Sequence, residues 1–249
     1  MKVIDSFCFP LLSRNEQSLL DEPPVDLESL QVSSALKRYF CLFGRDISAC
    51  EHFLTEVSQT PKAGALGLIP SELSPNDPWW DYQSQFSGFV LHPYLQDLSE
   101  LQGLQQCISA GIIAGRPVFV STAIGSQKMY RIFPLKVADA VAQLLSSPVV
   151  LAHAGGAKVL EALLIADANP HVYLETSFSL HYWQGSSVEN DLAFAVKKLG
   201  SHRCLYGSDA PFCSEHEALE AHVNFFDKHN FSDSCVNNIM HQNAQQLMG

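Results

Sequence analysis

A few residues able to do acid–base or metal chemistry stand at the ends of short apolar runs in this 249-residue chain. His92 closes Gly88-Phe89-Val90-Leu91, and Ser121 with Thr122 closes Val118-Phe119-Val120. His153 closes Val149-Val150-Leu151-Ala152, Glu175 closes Val172-Tyr173-Leu174, and Asp209 follows Leu205-Tyr206-Gly207-Ser208. Histidines and carboxylates drawn from separate segments are the material of general acid–base catalysis. Two histidines with one carboxylate are also a metal-binding combination. Ser121 lacks a G-x-S-x-G setting, so the sequence gives little support to a serine nucleophile. Cys8, between Phe7 and Phe9, reads as a buried thiol that strand alternation turns away from its neighbours' side. Cys213 stands shortly after Asp209, with no activating base evident beside it.

These residues need elements to bring them together. Eight apolar runs, at 2–9, 39–43, 63–69, 88–91, 117–122, 148–152, 171–176 and 203–208, are of strand length. They alternate with segments of three- and four-residue apolar spacing at 48–58, 98–114, 134–145, 157–168, 188–199 and 215–229, and 25–38 is expected to supply the first helix. Pro134 suits a first helical turn and Gly200 a helix stop. Stretches 21–24 and 71–81 read as loops. Continuous apolar runs mean strands buried on both faces, as in a parallel sheet. A doubly wound open sheet is the alternative, but it would usually carry a glycine-rich phosphate loop after its first strand, where this chain has Phe9-Pro10-Leu11-Leu12. The pattern therefore predicts an α/β fold, a (β/α)8 TIM barrel with one domain over residues 1–249. In such a barrel, groups at the carboxyl ends of the strands converge on one mouth.

Three motifs carry a resemblance to a known family. Ala152-His153-Ala154-Gly155-Gly156, Arg203-Cys204-Leu205-Tyr206-Gly207-Ser208-Asp209-Ala210-Pro211-Phe212 and Ile239-Met240-His241-Gln242-Asn243-Ala244-Gln245-Gln246-Leu247 are similar to the sixth strand, eighth strand and closing helix of the amidohydrolase-related branch of the amidohydrolase superfamily. Gly88–Pro93 and Val172–Ser177 match its fourth and seventh strands more loosely. The resemblance spans essentially the whole chain and is most specific in the last hundred residues. It implies a metal-dependent hydrolase fold in which a divalent metal activates water and the eighth-strand Asp takes the proton.

The carry-over is incomplete. The family opens with I-D-x-H-x-H, whose two histidines bind the metal, whereas Ile4-Asp5-Ser6-Phe7-Cys8-Phe9 puts Phe7 and Phe9 in both ligand positions. A phenyl ring has no lone pair to give. Ser121 replaces the fifth-strand histidine, which leaves His153 and Asp209 of the usual inner set. A catalytic zinc needs about three protein ligands, so a degenerate metal site is expected, with no cofactor. A weak divalent ion such as zinc would have to use His92, His153 and Asp209.

The resemblance then implies an enzyme that hydrolyses, or decarboxylates, a small carbonyl compound. Asp209 would be its base and His153 the group that binds the carbonyl oxygen. His92, Ser121, Glu175, Phe7 and Phe9 would line the substrate pocket, although the two phenylalanines read first as plugs packing the upper barrel. The alternative is a non-catalytic barrel, a pseudoenzyme binding a metabolite or protein partner. Trp79-Trp80 with Tyr82, and His181-Tyr182-Trp183, are candidates for aromatic walls at the mouth. His216, His222, His229 and His241 fall on carboxyl-terminal helices and read as surface or packing residues.

Composition bounds the partners. Fifteen Lys+Arg against 26 Asp+Glu leave a net charge of −11, which argues against nucleic acid. No apolar stretch approaches the ~20 residues of a membrane helix. Seven scattered cysteines without a C-x-x-C pair suggest a reduced, cytoplasmic protein. Only 16% of residues are charged, too few to cover a barrel's outer helices, so a homodimer is expected.

Overall fold

The computed structural model describes residues 1–10, 35–42, 50–98, 100–122 and 132–249. Eight strands pair in parallel and in sequence order: β1 Ile4–Cys8, β2 Lys37–Leu42, β3 Ala63–Leu68, β4 Gly88–Leu91, β5 Val118–Ser121, β6 Val149–Ala152, β7 Val172–Glu175 and β8 Cys204–Leu205. Helices α1 (Glu51–Gln59), α2 (Gln102–Ser109), α3 (Pro134–Leu144), α4 (Val159–Ala168), α5 (Ser187–Leu199), α6 (Glu215–Lys228) and α7 (Asn243–Met248) lie between or after them. This is a (β/α)8 barrel.

The eighth strand leaves its ladder after Leu205, earlier than the apolar run 203–208 predicts. Single hydrogen bonds close the barrel from there: Ser6 N donates to Tyr206 O (3.0 Å), Asp209 N to Phe7 O (3.0 Å) and Phe9 N to Ala210 O (2.8 Å). The cause lies at Ser208, whose N and Oγ both donate to the Asp5 carboxylate at 2.8 and 2.6 Å. That diversion is followed by left-handed backbone at Asp209 (φ 58°).

Two packed layers hold the sheet. Ile4, Phe7, Phe9, Tyr39, Leu66, Val90, Phe119, Val150 and Leu205 fill the interior, while Val3, Cys8, Phe40 and the helices' apolar faces form the outer layer. Ile4 and Phe7 share the interior despite odd spacing, because the β1–β2 register slips between Asp5 and Cys8 and inserts one extra residue. Helix α7 plugs one end, with Met248 in the interior cluster and its carbonyl accepting from Tyr39 Oη at 2.8 Å.

The first helix, expected over 25–38, falls outside the described residues except at its end. There Lys37 and Arg38 open β2, paired with Ile4 and Asp5, so strand pairing overrides local spacing. In the segment 98–114, only Gln102–Ser109 is a long helix, and Gly111 (φ 73°) follows its end. All seven cysteines are free. Among the described residues no helix is long and apolar enough to cross a membrane.

Candidate active site

His153 and Asp209 meet at the barrel mouth. Each follows the end of its strand in left-handed backbone, His153 at φ 66° and Asp209 at φ 58°, a conformation that costs energy for residues other than glycine. The turn after His153 continues through Ala154, Gly155 and Gly156, all at positive φ. At Gly155 an added Cβ would also lie 2.8 Å from the Ala162 Cβ, so both backbone and space call for glycine. Thr122 ties this turn down, accepting from Gly155 N at 2.8 Å while donating to Ala152 O.

Hydrogen bonding sets the His153 ring. Its Nδ1 lies 3.3 Å from Ser177 O and 3.0 Å from Ser177 Oγ. A carbonyl oxygen only accepts, so Nδ1 carries the proton and Nε2 presents its lone pair. Nε2 stands 4.0 Å from Asp209 Oδ1, beyond direct hydrogen bonding. Burial lowers the His153 pKa to about 4, so the ring is neutral near neutral pH.

Glu175 stands behind this pair. It accepts from Ser177 N (2.6 Å), Ser177 Oγ (2.7 Å) and His153 N (3.2 Å). Burial raises its pKa to about 8 against these three favourable bonds. Ser177, a strand-end candidate to which the sequence assigns no role, links Glu175 to His153. The short polar run Glu175-Thr176-Ser177 after an apolar strand was the signal available.

His92 has the opposite tautomer. Its Nδ1 accepts from Leu95 N at 3.3 Å, which leaves the proton on Nε2. Two residues beyond the inward Val90, it projects from the same strand face. Burial, then the neighbouring His153, lower its pKa to about 3. Ser121 also follows an inward residue, Phe119. Its Oγ is buried and has no hydrogen-bond partner among the described residues.

Phe7 and Phe9 behave as packing. Phe7 has no exposed surface, stacks on Phe119 at 5.7 Å and meets the His153 ring edge-on at 5.4 Å. Phe9 packs edge-on against Phe7 and Phe212 at 5.5 and 5.3 Å. Trp79 is no wall of the mouth, because it lies in the outer layer beside Phe86 and Phe89 with its Nε1 donating to Leu68 O at 2.9 Å. Phe178 does approach His153, at 6.4 Å, and Tyr182 stacks on it at 5.3 Å. His222 is a packing residue, buried with Nε2 2.8 Å from Thr176 Oγ1 and Nδ1 2.7 Å from Ala218 O.

A metal does not fit the family's position. Phe7 and Phe9 supply no donor atom, and Ser121 offers a neutral hydroxyl. The fallback set of His92, His153 and Asp209 does not bring three ligand atoms within 4.8 Å of one another.

Comparison with known proteins bears on the same residues. A family model described as Amidohydrolase matches residues 88–249, well over half of the chain. No curated protein sequence matches. A probable 2-pyrone-4,6-dicarboxylic acid hydrolase from Acinetobacter baumannii with citric acid bound is similar at TM-score 0.67 and 17% identity, covering 100% of both chains. An amidohydrolase from Burkholderia multivorans with bound zinc is similar at TM-score 0.67 and 16% identity, covering 100% of this chain and 99% of that one. A dihydroxybenzoic acid decarboxylase from Polaromonas with bound manganese and an inhibitor is similar at TM-score 0.61 and 14% identity, covering 99% and 96%.

Proposed function

The chain belongs to the amidohydrolase family, and from that premise we propose that it hydrolyses a small, activated carbonyl compound, an ester or lactone, without a metal at the family position. The observation that carries this reading is the 4.0 Å gap between His153 Nε2 and Asp209 Oδ1. His153 Nε2 is an acceptor in the tautomer described above, and a carboxylate oxygen accepts. A water with its oxygen about 2.8 Å from each would donate one hydrogen to each, at an angle of about 90°. Its lone pairs would then face the substrate.

Asp209 takes the water's proton as the oxygen bonds to the carbonyl carbon. The tetrahedral intermediate collapses with loss of the alkoxide, which recovers that proton from Asp209. His153 enters as a second acceptor rather than as the carbonyl-binding group expected from the sequence, because its donor nitrogen is turned to Ser177. Donation to the carbonyl oxygen passes to His92, whose Nε2 carries a hydrogen. Acid–base help of this kind contributes about 10²–10⁴-fold, which suits a reactive ester or lactone and not an unactivated amide. The hydrolase and decarboxylase neighbours support a small carbonyl or carboxylic substrate. The water-holding pair favours hydrolysis over decarboxylation.

The test is turnover of a panel of aryl esters and lactones by metal-stripped protein and by Asp209→Asn. Turnover that survives chelation and falls at least a hundredfold in the variant supports the reading. A wild-type protein that binds such compounds, turns none over and binds equally well as Asp209→Asn would make the chain a non-catalytic barrel.

A further inference from the structure

The geometry points to a zinc site away from the family position, formed by His181, Cys213 and Glu217. His181 lies in the helical turn Ser179–Tyr182 after β7, Cys213 in the segment after β8, and Glu217 in the first turn of α6. One ligand atom from each lies within 4.8 Å of the other two. In a tetrahedral zinc site with bonds of about 2.0–2.3 Å, ligand atoms stand roughly 3.3–3.7 Å apart. Side-chain torsions of about an ångström close the difference.

The donors are imidazole nitrogen, thiolate sulfur and carboxylate oxygen, a mixture that suits zinc and not the oxygen-seeking magnesium or calcium. Cys213 is buried, His181 half-buried and Glu217 exposed, so the site is closed on the sulfur side and open to solvent on the carboxylate side. Glu217 is already oriented: its Oε2 accepts from Ser214 N (3.0 Å) and Ser214 Oγ (2.7 Å) in the capping box of α6. A carboxylate has acceptor capacity beyond these two bonds. Cys213 N approaches Asp209 O at 3.3 Å, so an ion here would pin the segment that carries Asp209 to the turn after β7 that follows Ser177. Three protein ligands leave a fourth position open to water. This site is independent of the hydrolase reading.

The experiment is titration of reduced, metal-stripped protein with cobalt(II) and zinc(II), read by absorption and by metal analysis after dialysis. The expected result is one equivalent of zinc retained and a thiolate-to-cobalt charge-transfer band. Cys213→Ser should abolish the band, and His181→Ala and Glu217→Gln should each weaken zinc binding about tenfold to hundredfold. Glutamine can still close the capping box, so Glu217→Gln separates lost ligation from lost folding, and Cys235→Ser should bind as wild type does. Absence of the band and of retained zinc in the wild type overturns the proposal. So does a band that persists in Cys213→Ser, or metal binding that depends on Asp209 and not on Cys213.

Discussion

His153 Nε2 and Asp209 Oδ1 face each other across 4.0 Å, and both residues hold left-handed backbone. The strain is local to the groups that would handle the water, and the surrounding hydrogen bonds hold it. Ser179 Oγ donates to His153 O at 2.7 Å, and the Asp209 N–H bonds to Phe7 O at 3.0 Å.

Ser177 Oγ joins His153 Nδ1 to the Glu175 carboxylate, so Ser177→Ala should change chemistry more than binding. The variant loses the Oγ that lies 3.0 Å from Nδ1 and 2.7 Å from Glu175, but keeps the main-chain carbonyl. Expected is a fall in kcat of roughly tenfold with KM little changed. Steady-state kinetics on any ester the wild type turns over would check it; an unchanged kcat removes Ser177 from the machinery.

Stability should peak near pH 6.5. His92, His153 and His222 are held to about 3, 4 and 4 by burial, below the ordinary 6.5. Between these values and 6.5 the unfolded chain binds more protons, so stability falls on acidification through that window. Glu175 is raised by burial from 4.5 to about 8. Below 4.5 its contribution is fully present, and it is lost as pH rises to about 8. Thermal unfolding from pH 5 to 9 should show both limbs, and Glu175→Gln should flatten the alkaline one. An alkaline limb unchanged in that variant would refute the assignment.

Gly207 lets the chain after β8 pass the site. A Cβ there would lie 2.5 Å from Glu175 Oε1 and 3.0 Å from Phe7 Cβ. Gly207→Ala should destabilise by about 1–3 kcal/mol, the usual cost of overpacking, and denaturant unfolding measures it.

Asp5 lies fully buried against Arg38, with Nε 3.3 Å from Oδ2. Burial raises its pKa, offset by Arg38 and Ser208. Arg38→Met should cost about 3–5 kcal/mol, because it leaves a buried carboxylate without its cation. The double variant Asp5→Leu with Arg38→Met should cost less than the two single losses added together. Equal additivity in denaturant melts would show that the pair does not couple.

We expect a homodimer through the outer helices. Leu144 of α3, Leu160 and Leu164 of α4 and Phe194 of α5 are large apolar side chains left exposed, Leu164 by 69%. Sedimentation equilibrium should give a dimer at micromolar concentration, and Leu164→Glu should shift it toward monomer. A monomeric wild type contradicts this.

The barrel was legible because eight apolar runs and their intervening periodic segments are local patterns, and β3 to β7 fall within a residue or so of where those runs lie. The motif around His153 and the one around Asp209 were legible for the same reason: each is a contiguous stretch with a fixed backbone demand. The β1 bulge was not, because a register slip depends on what β1 pairs with. Trp79 was misplaced as a candidate wall because two adjacent tryptophans look alike in sequence, whereas the fold sends Trp79 into the outer layer.

By itself, then, the sequence determined the strand order and the residue types at Phe7, Phe9, Ser121, His153 and Asp209. Those are matters of residue type and period. Tertiary structure alone decided which nitrogen of each histidine holds its proton, since Ser177 O and Leu95 N make that choice through space. It also decided that Cys213, which has no base beside it in sequence, has His181 and Glu217 as neighbours. Donors from separate segments become a site only when the barrel brings their loops to one mouth.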